Sequence, residues 1–186
     1  MAPRDRKQRF EEIYAAHYPD ILAYVRRRTD SHDDAADALA ETFTVAWRRL
    51  DDVPEGGRSR LWLYGVARRV LANGRRAETR RGELVERLGQ QLALWAEATG
   101  PDADDELGDV REALRRLAPD DREVLCLAAW EGLGSDEIAA VLGCSRGAAR
   151  LRLHRARKRL VKELKAAGLD VARHGFRAVA LQREAL

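Results

Sequence analysis

Three observations on this 186-residue chain predict an all-α fold class, as two small helical domains joined by a flexible linker. Apolar residues recur at steps of three and four in several separate stretches, which is the period of a helix that buries one face. Val and Ile are sparse and no segment alternates apolar and polar residues for long, so strands are not expected. Between two groups of helical stretches lies Thr99-Gly100-Pro101-Asp102-Ala103-Asp104-Asp105-Glu106, an acidic, turn-rich run that reads as a linker. The expected division is a first domain at 1–81, a linker at 82–108, a second domain at 109–168 and a tail at 169–186.

In the first domain, Phe10, Ile13, Tyr14, His17 and Tyr18 have helical spacing, and Pro19 is expected to break that run. Ile21 to Arg28 then starts a second helix. Thr29-Asp30-Ser31-His32 is a break rich in capping residues, and Ser31 with Asp34 three positions on predicts the start of the next helix. That helix should run from about Asp33 to Leu50, with Ala36, Leu39, Ala40, Phe43, Ala46, Trp47 and Leu50 as its apolar stripe. Asp37 and Glu41 lie beside the stripe, one turn apart. Asp51–Arg58 reads as a loop. A further helix from about Ser59 to Arg76 carries Leu61, Trp62, Tyr64 and Leu71, together with Arg68, Arg69, Asn73, Arg75 and Arg76. A short helix at 83–97 is expected before the linker.

Helices resume near Val110, where Val110, Leu114 and Leu117 form a stripe ended by Pro119. Asp120 with Glu123 suggests a capping pair for the helix that holds Val124, Leu125, Leu127 and Ala128. Gly132-Leu133-Gly134 turns the chain. Ser135 is expected to cap Asp136–Leu142, with Asp136 and Glu137 near the positive helix end. Gly143-Cys144-Ser145 makes the next turn, with Ser145 as cap of a basic helix. A short helix, a three-residue turn containing Gly and a second helix make a helix-turn-helix. Leu169–Leu186 reads as a weak amphipathic helix or a frayed end.

Composition narrows the function classes. The net charge of +3 is modest, but its distribution is not. Residues 58–81 hold eight arginines against Glu78, and residues 97–123 hold ten acids against four arginines. Residues 145–165 hold nine Lys or Arg against Glu163. Basic, acidic, basic along the chain predicts two polyanion-facing modules with a solvated segment between them. No apolar run approaches a membrane span, and the N-terminal residues carry no apolar stretch of the kind a signal peptide needs, so a cytoplasmic location is expected. Cys126 and Cys144 match no zinc spacing and read as small hydrophobes in a reducing compartment. No carboxylate cluster, Gly-rich phosphate loop or nucleophile–base pair stands out, so no catalytic residue, metal or cofactor is expected.

The basic helix is the most informative stretch. Ala149, Leu153, Ala156 and Leu160 recur at steps of four, three and four and share one face. Gly147, Arg150, Leu151, His154, Arg155 and Lys158 fall on another. One face suits a core and the other suits a groove of DNA. Arg150 and Arg155 can donate two bonds each to a guanine edge. Arg146, Arg152, Arg157, Lys158 and Arg159 suit phosphates, which set affinity and salt dependence. Ser145 and the first amides of the helix can also meet a phosphate. By itself this fits a stand-alone helix-turn-helix transcriptional regulator as well as a subunit of a larger machine.

Two separate segments decide between those readings by resemblance. Asp34-Ala-Ala-Asp-Ala-Leu-Ala-Glu-Thr-Phe-Thr-Val-Ala-Trp-Arg48, followed by Trp62-Leu-Tyr-Gly-Val-Ala-Arg-Arg69, resembles conserved region 2 of a bacterial sigma factor. Leu117-Ala-Pro-Asp-Asp-Arg-Glu-Val-Leu125, then Gly132–Ser145 and the basic helix, resembles region 4. Their order, the linker and the absence of a region 3 domain resemble the extracytoplasmic-function (ECF) group of the sigma-70 family.

The resemblance implies a sigma factor that directs promoter-specific initiation, with core RNA polymerase and promoter DNA as partners. It implies that Asp37, Glu41 and Trp47 face the clamp coiled coil of polymerase and that region 4 meets the flap. Loop residues 51–60, including Arg58 and Arg60, match the loop that captures a flipped base of the minus-10 element. Arg68, Arg69, Asn73, Arg75 and Arg76 match the helix that faces minus-10 DNA. Ser145, Arg146, Arg150, Leu151, His154, Arg155 and Lys158 match the surface that faces the minus-35 element. An anti-sigma factor that masks these faces is a further implied partner. Two departures stand out: Gly147-Ala148-Ala149 replaces the family's Gly-Thr-Val, and Leu151 replaces a small polar residue. Leu151 can touch a thymine methyl but cannot read a base edge by hydrogen bonding. In region 2, Ala36 and Ala40 stand where polar residues are common.

Overall fold

The computed structural model describes residues 3–29, 31–88 and 113–168, and these form two compact units divided between Glu97 and Ala98. The first unit holds α1 (Pro3–Arg26), α2 (His32–Arg48), a 3-10 turn at Leu50–Asp52, and α3 (Arg58–Leu88). The second holds a helical turn at 113–116, then α4 (Pro119–Ala129), α5 (Ser135–Leu142) and α6 (Arg146–Ala166). The described residues contain no strand, as the apolar period predicts.

In the first unit the three helices pack against one another. α1 contributes Ile21, Tyr24 and Val25 to the core. α2 contributes Ala35, Ala38, Leu39, Phe43 and Ala46, and α3 contributes Leu63, Tyr64, Val66, Ala67 and Leu71. Enclosing a side chain such as Ile21 or Leu63 stabilises the unit by about 1.5–3 kcal/mol relative to leaving it in water. The Tyr24 and Tyr64 rings lie 5.1 Å apart across the α1–α3 seam. Trp62 is half-buried. Thr42 is fully enclosed, and its hydroxyl donates to the Ala38 carbonyl at 2.6 Å, so no polar atom is orphaned there.

Pro19 does not break the first helix: α1 runs through it without interruption. Proline removes one N–H, which in a helix would have bonded the carbonyl four residues back. Ala15 and Pro19 are both exposed, so the freed carbonyl lies on the solvent side, where water can take the bond. The start of α2 is as expected. The Ser31 hydroxyl accepts from the Asp34 amide at 3.0 Å and donates to the Asp34 carboxylate at 2.6 Å. α3 overruns its predicted end at Arg76 and continues to Leu88. The start of the expected linker at 82 and of the short helix at 83 therefore belongs to α3. The remainder of both, and the tail from 169, lie outside the described residues.

In the second unit α6 packs on α4 and α5. Val124, Leu127, Leu133, Ile138 and Val141 meet Ala149, Leu153, Ala156, Leu160 and Leu164 in the core. Two predicted caps are corrected. α4 begins at Pro119, behind Ala118, with no side-chain cap. Pro suits the first helical position because its missing N–H would be unpaired there anyway. Arg122 instead reaches back to the Leu114, Arg115 and Leu117 carbonyls at 2.9, 2.6 and 3.2 Å and ties the preceding turn to α4. In α5 the cap is Gly134, whose amide donates to the Glu137 carboxylate at 2.9 Å, and Ser135 is already helical.

α5 ends at Gly143, with φ of 64°. The Gly143 amide donates to the Ala140 carbonyl and the Cys144 amide to the Ala139 carbonyl, the paired bonds of a Schellman motif. Ser145 caps α6 as predicted, accepting from the Ala148 amide at 3.2 Å. The helix-turn-helix is thus closed on both sides of its turn by local hydrogen bonds.

Candidate nucleic-acid and polymerase interfaces

The second unit separates the two faces of α6 as its sequence suggests. Ala149, Leu153, Ala156 and Leu160 are buried, while Arg146, Gly147, Arg150, Leu151, Arg152, His154, Arg155 and Lys158 are exposed. Arg150, His154 and Lys158 stand one above another at steps of four. From Arg146 to Lys158 the exposed face spans about 18 Å at 1.5 Å per residue, a length suited to about five base pairs at 3.4 Å each. Leu151, 47% exposed, sits amid these cations. Its methyls offer an apolar contact and no hydrogen bond.

Three of the arginines assigned to DNA have protein surroundings of their own. Arg146 Nε lies 3.1 Å from Asp136 Oδ1, at the start of the preceding helix. Arg157 is half-buried, and burial pulls its guanidinium below its ordinary pKa. Arg159 is the third: its Nη1 donates to Oδ2 of the buried Asp121 on α4. Arg159 thus has a protein partner, while its side chain stays 59% exposed. The step of three from Ala156 to Arg159 places it near the core stripe, and that spacing was the available signal.

In the first unit Asp37 and Glu41 are exposed on α2, opposite the buried Ala38, Leu39 and Phe43. Trp47, expected on the buried stripe, is 41% exposed at the end of that helix. Its ring meets Phe10 edge-on at 5.2 Å between centroids, and the Arg6 guanidinium lies 5.5 Å from its centre. Acidic and aromatic groups of α2 are therefore both accessible.

The 51–60 loop is held by few residues of its own. Val53 is buried as an anchor, Gly56 has φ of 64°, and Glu55, Gly56, Gly57 and Arg58 are exposed. A positive φ is reached easily only by glycine. Ser59, nearly enclosed, donates its hydroxyl to the Gly56 carbonyl at 2.6 Å and closes the loop onto α3. Between this loop and α1 lies an open cleft of about 470 Å³, lined in part by Gln8, Arg9, Glu12, Pro54 and Glu55.

Beyond the loop, Arg69, Asn73 and Arg76 follow one another at steps of four and three along the exposed side of α3, with Arg75 beside them and Arg68 half-buried. Arg60 is also half-buried, with Nη1 3.8 Å from Asp20 of α1.

Sequence spacing did not reveal the groups that hold the loop from outside. His17 Nε2 lies 2.7 Å from the Ser59 hydroxyl. Arg9 donates to the Val53 carbonyl at 2.8 Å, and Arg6 donates to the Trp47 carbonyl at 2.8 Å and to Asp51 at 3.1 Å. The partners are separated by 41 to 45 residues, beyond any local pattern. Burial lowers the His17 pKa, an effect opposed by Asp20 and reinforced by Arg60. Among the described residues no group of three or more His, Cys, Asp or Glu is placed to hold a metal, and no helix is long and apolar enough to cross a membrane.

Known proteins with the same organisation place these surfaces in a family. The Sigma-70 region 2 family model matches residues 13–81, and that of Sigma-70, region 4 matches residues 107–160. The RNA polymerase sigma factor CarQ of Myxococcus xanthus is 34% identical over 167 residues, 88% of this chain and 94% of that protein. The ECF RNA polymerase sigma factor EcfG of Rhodopseudomonas palustris is 29% identical over 150 residues, 81% of each chain. Among solved structures, the sigma factor RpoE of Bartonella quintana, in complex with the anti-sigma factor NepR, has a TM-score of 0.62 at 28% identity. That match covers 84% of this chain and 96% of the other. With both regions present in order and relatives matched along most of their length, the chain belongs to the sigma-70 family, in its ECF group, and is an RNA polymerase sigma factor.

Proposed function

We propose that the surfaces divide the work of initiation as follows. The α2 face with Asp37, Glu41 and Trp47 docks on the clamp coiled coil of core polymerase, and the second unit meets the flap. The 51–60 loop, with Arg58 and Arg60, meets an unpaired base of the minus-10 element. Arg68, Arg69, Asn73, Arg75 and Arg76 follow the same DNA along α3. On α6, Arg150 and Arg155 read bases of the minus-35 element, with Leu151 and His154 beside them, while Ser145, Arg146 and Lys158 hold its phosphates.

The observation that carries this reading is the separation of signs. The first unit exposes acids on α2 and arginines on α3, and the second exposes one basic helix face. A stand-alone regulator would need only the last of these. Unstacking a base costs a few kcal/mol, so melting calls for both a shaped loop and cations along the strand. In this reading the chain performs no bond chemistry of its own, and it acts in the cytoplasm, with polymerase. A protein partner that masks these faces, of the kind solved with the Bartonella quintana relative, is part of the same proposal.

The test is transcription in vitro with core polymerase and a pool of genomic promoter fragments. The protein should direct initiation from a subset that shares two short elements, and Asp37→Lys should weaken core association while leaving the fold intact. Initiation from no fragment, or full core binding by Asp37→Lys, overturns the respective assignment.

A further inference from the structure

One face of α1 is committed to the loop rather than to the helical core. Arg6, Arg9, Ile13 and His17 recur at steps of three, four and four, so they share that face. Arg6 bonds the Trp47 carbonyl and Asp51 at the loop's entry. Arg9 bonds the Val53 carbonyl in its middle. Ile13 lines the cleft beside Pro54 and Gly56. At the loop's exit His17 meets Ser59, which in turn bonds the Gly56 carbonyl. Because the Ser59 hydroxyl donates to Gly56, it accepts from His17, which assigns the ring proton to Nε2.

Two backbone carbonyls of the irregular segment, those of Val53 and Gly56, are therefore aimed by side chains of α1, the first directly and the second through Ser59, while Arg6 holds the segment's entry through Asp51 and the Trp47 carbonyl at the end of α2. Carbonyl orientation is what fixes the path of a loop that has little periodic hydrogen bonding of its own. A loop held in its working shape also spares the cost of ordering when a ligand arrives.

We propose that Arg6, Arg9 and His17 are positioning residues for promoter opening. They hold the 51–58 segment in the shape that meets single-stranded minus-10 DNA, without touching the DNA themselves. This rests on the assignment of that loop to minus-10 DNA. The inference adds a positioning role on α1, a helix to which neither the sequence nor the family resemblance gave a role in DNA. It also predicts how α1 acts: through the geometry of the loop, leaving the docking surface on α2 unchanged.

The experiment uses the full chain bound to core polymerase. The probe is the non-template strand of a promoter recovered from the genomic pool, single-stranded across its minus-10 element. Arg9→Met and His17→Leu remove the donors; Arg9→Lys and His17→Gln keep one. Each donor-less variant should bind the probe about tenfold more weakly, with core affinity unchanged, and each donor-keeping variant should recover most of the loss. Glu55→Ala and Arg58→Ala, in the loop itself, form the control arm. If these alter probe binding while Arg9→Met and His17→Leu do not, the positioning inference falls and the loop assignment stands. If the loop variants have no effect, the loop assignment falls and the inference falls with it. Equal loss of core and probe binding, or no recovery with Lys and Gln, shows a role in folding alone and also overturns the inference.

Discussion

Arg159 of α6 and Asp121 of α4, 38 residues apart in sequence, are joined as an ion pair in which the aspartate is enclosed and the arginine stays open to water. The pair links the last turns of the basic helix to the first turn of α4, next to the carbonyls that Arg122 gathers. An exposed pair contributes about 0–1 kcal/mol, and a hydrogen bond to a charged group about 1.5–3 kcal/mol. Asp121→Ala is expected to fall between them, costing the second unit about 1–2 kcal/mol. Faster hydrogen exchange of α4 and α6 amides, with α1–α3 unaffected, is the expected observation.

The same pair distinguishes Arg159 from Arg150 and Arg152. Arg150→Ala should weaken duplex binding by about 1–3 kcal/mol for some minus-35 sequences and little for others. Arg152→Ala should weaken all sequences alike and lower the salt slope by about one. Arg159→Ala should leave that slope unchanged. Binding titrations across salt concentration, on a small library of duplexes, check all three, and a lowered slope for Arg159→Ala would return it to the phosphate contacts.

Gly143 carries the turn of the helix-turn-helix. A Cβ there would meet nothing within 4 Å, so any cost of substitution is backbone strain alone. Gly143→Ala should destabilise the second unit by about 1–2 kcal/mol, the penalty for an L-residue in the left-handed region. Gly143→Asn should cost less, because asparagine enters that region more readily. Denaturant midpoints for the two variants give the comparison.

His17 gives the first unit a pH dependence. Burial lowers its pKa below the ordinary value of 6.5, with Arg60 acting the same way and Asp20 opposing. The unfolded chain then binds more protons than the folded one as pH falls through 6.5, so stability drops with it. The bond to Ser59 survives protonation, since Nε2 donates in both states, and the loss reflects desolvation of the charged ring. The stability of the wild type should fall more between pH 7 and pH 5 than that of His17→Gln. An NMR titration should place the ring's midpoint below 6.5, and a midpoint above it would reverse the sign.

What the sequence disclosed was whatever has a short period or a local partner. The stripe of α6, the caps at Ser31 and Ser145, and the exposed Asp37–Glu41 pair all rest on neighbours within four residues. Pro19 misled because its effect depends on which way one carbonyl faces, and that is settled by tertiary burial. Ser135 misled because glutamate three residues after Gly134 supplies the cap from inside the helix. Arg6, Arg9 and His17 carried no local mark, as their partners lie on the far side of α2. The aspartate partner of Arg159 was equally hidden, since it lies on α4, 38 residues away.

The two faces of α6 share no side chain, and the turn before it is closed by backbone bonds and the Ser145 cap. Positions 147, 150, 151, 154, 155 and 158 can therefore be exchanged as a set without disturbing a core residue. Grafting another factor's residues onto these six positions should redirect which promoters are chosen while folding stays intact. It also describes how paralogous factors could drift apart in their targets while keeping one scaffold.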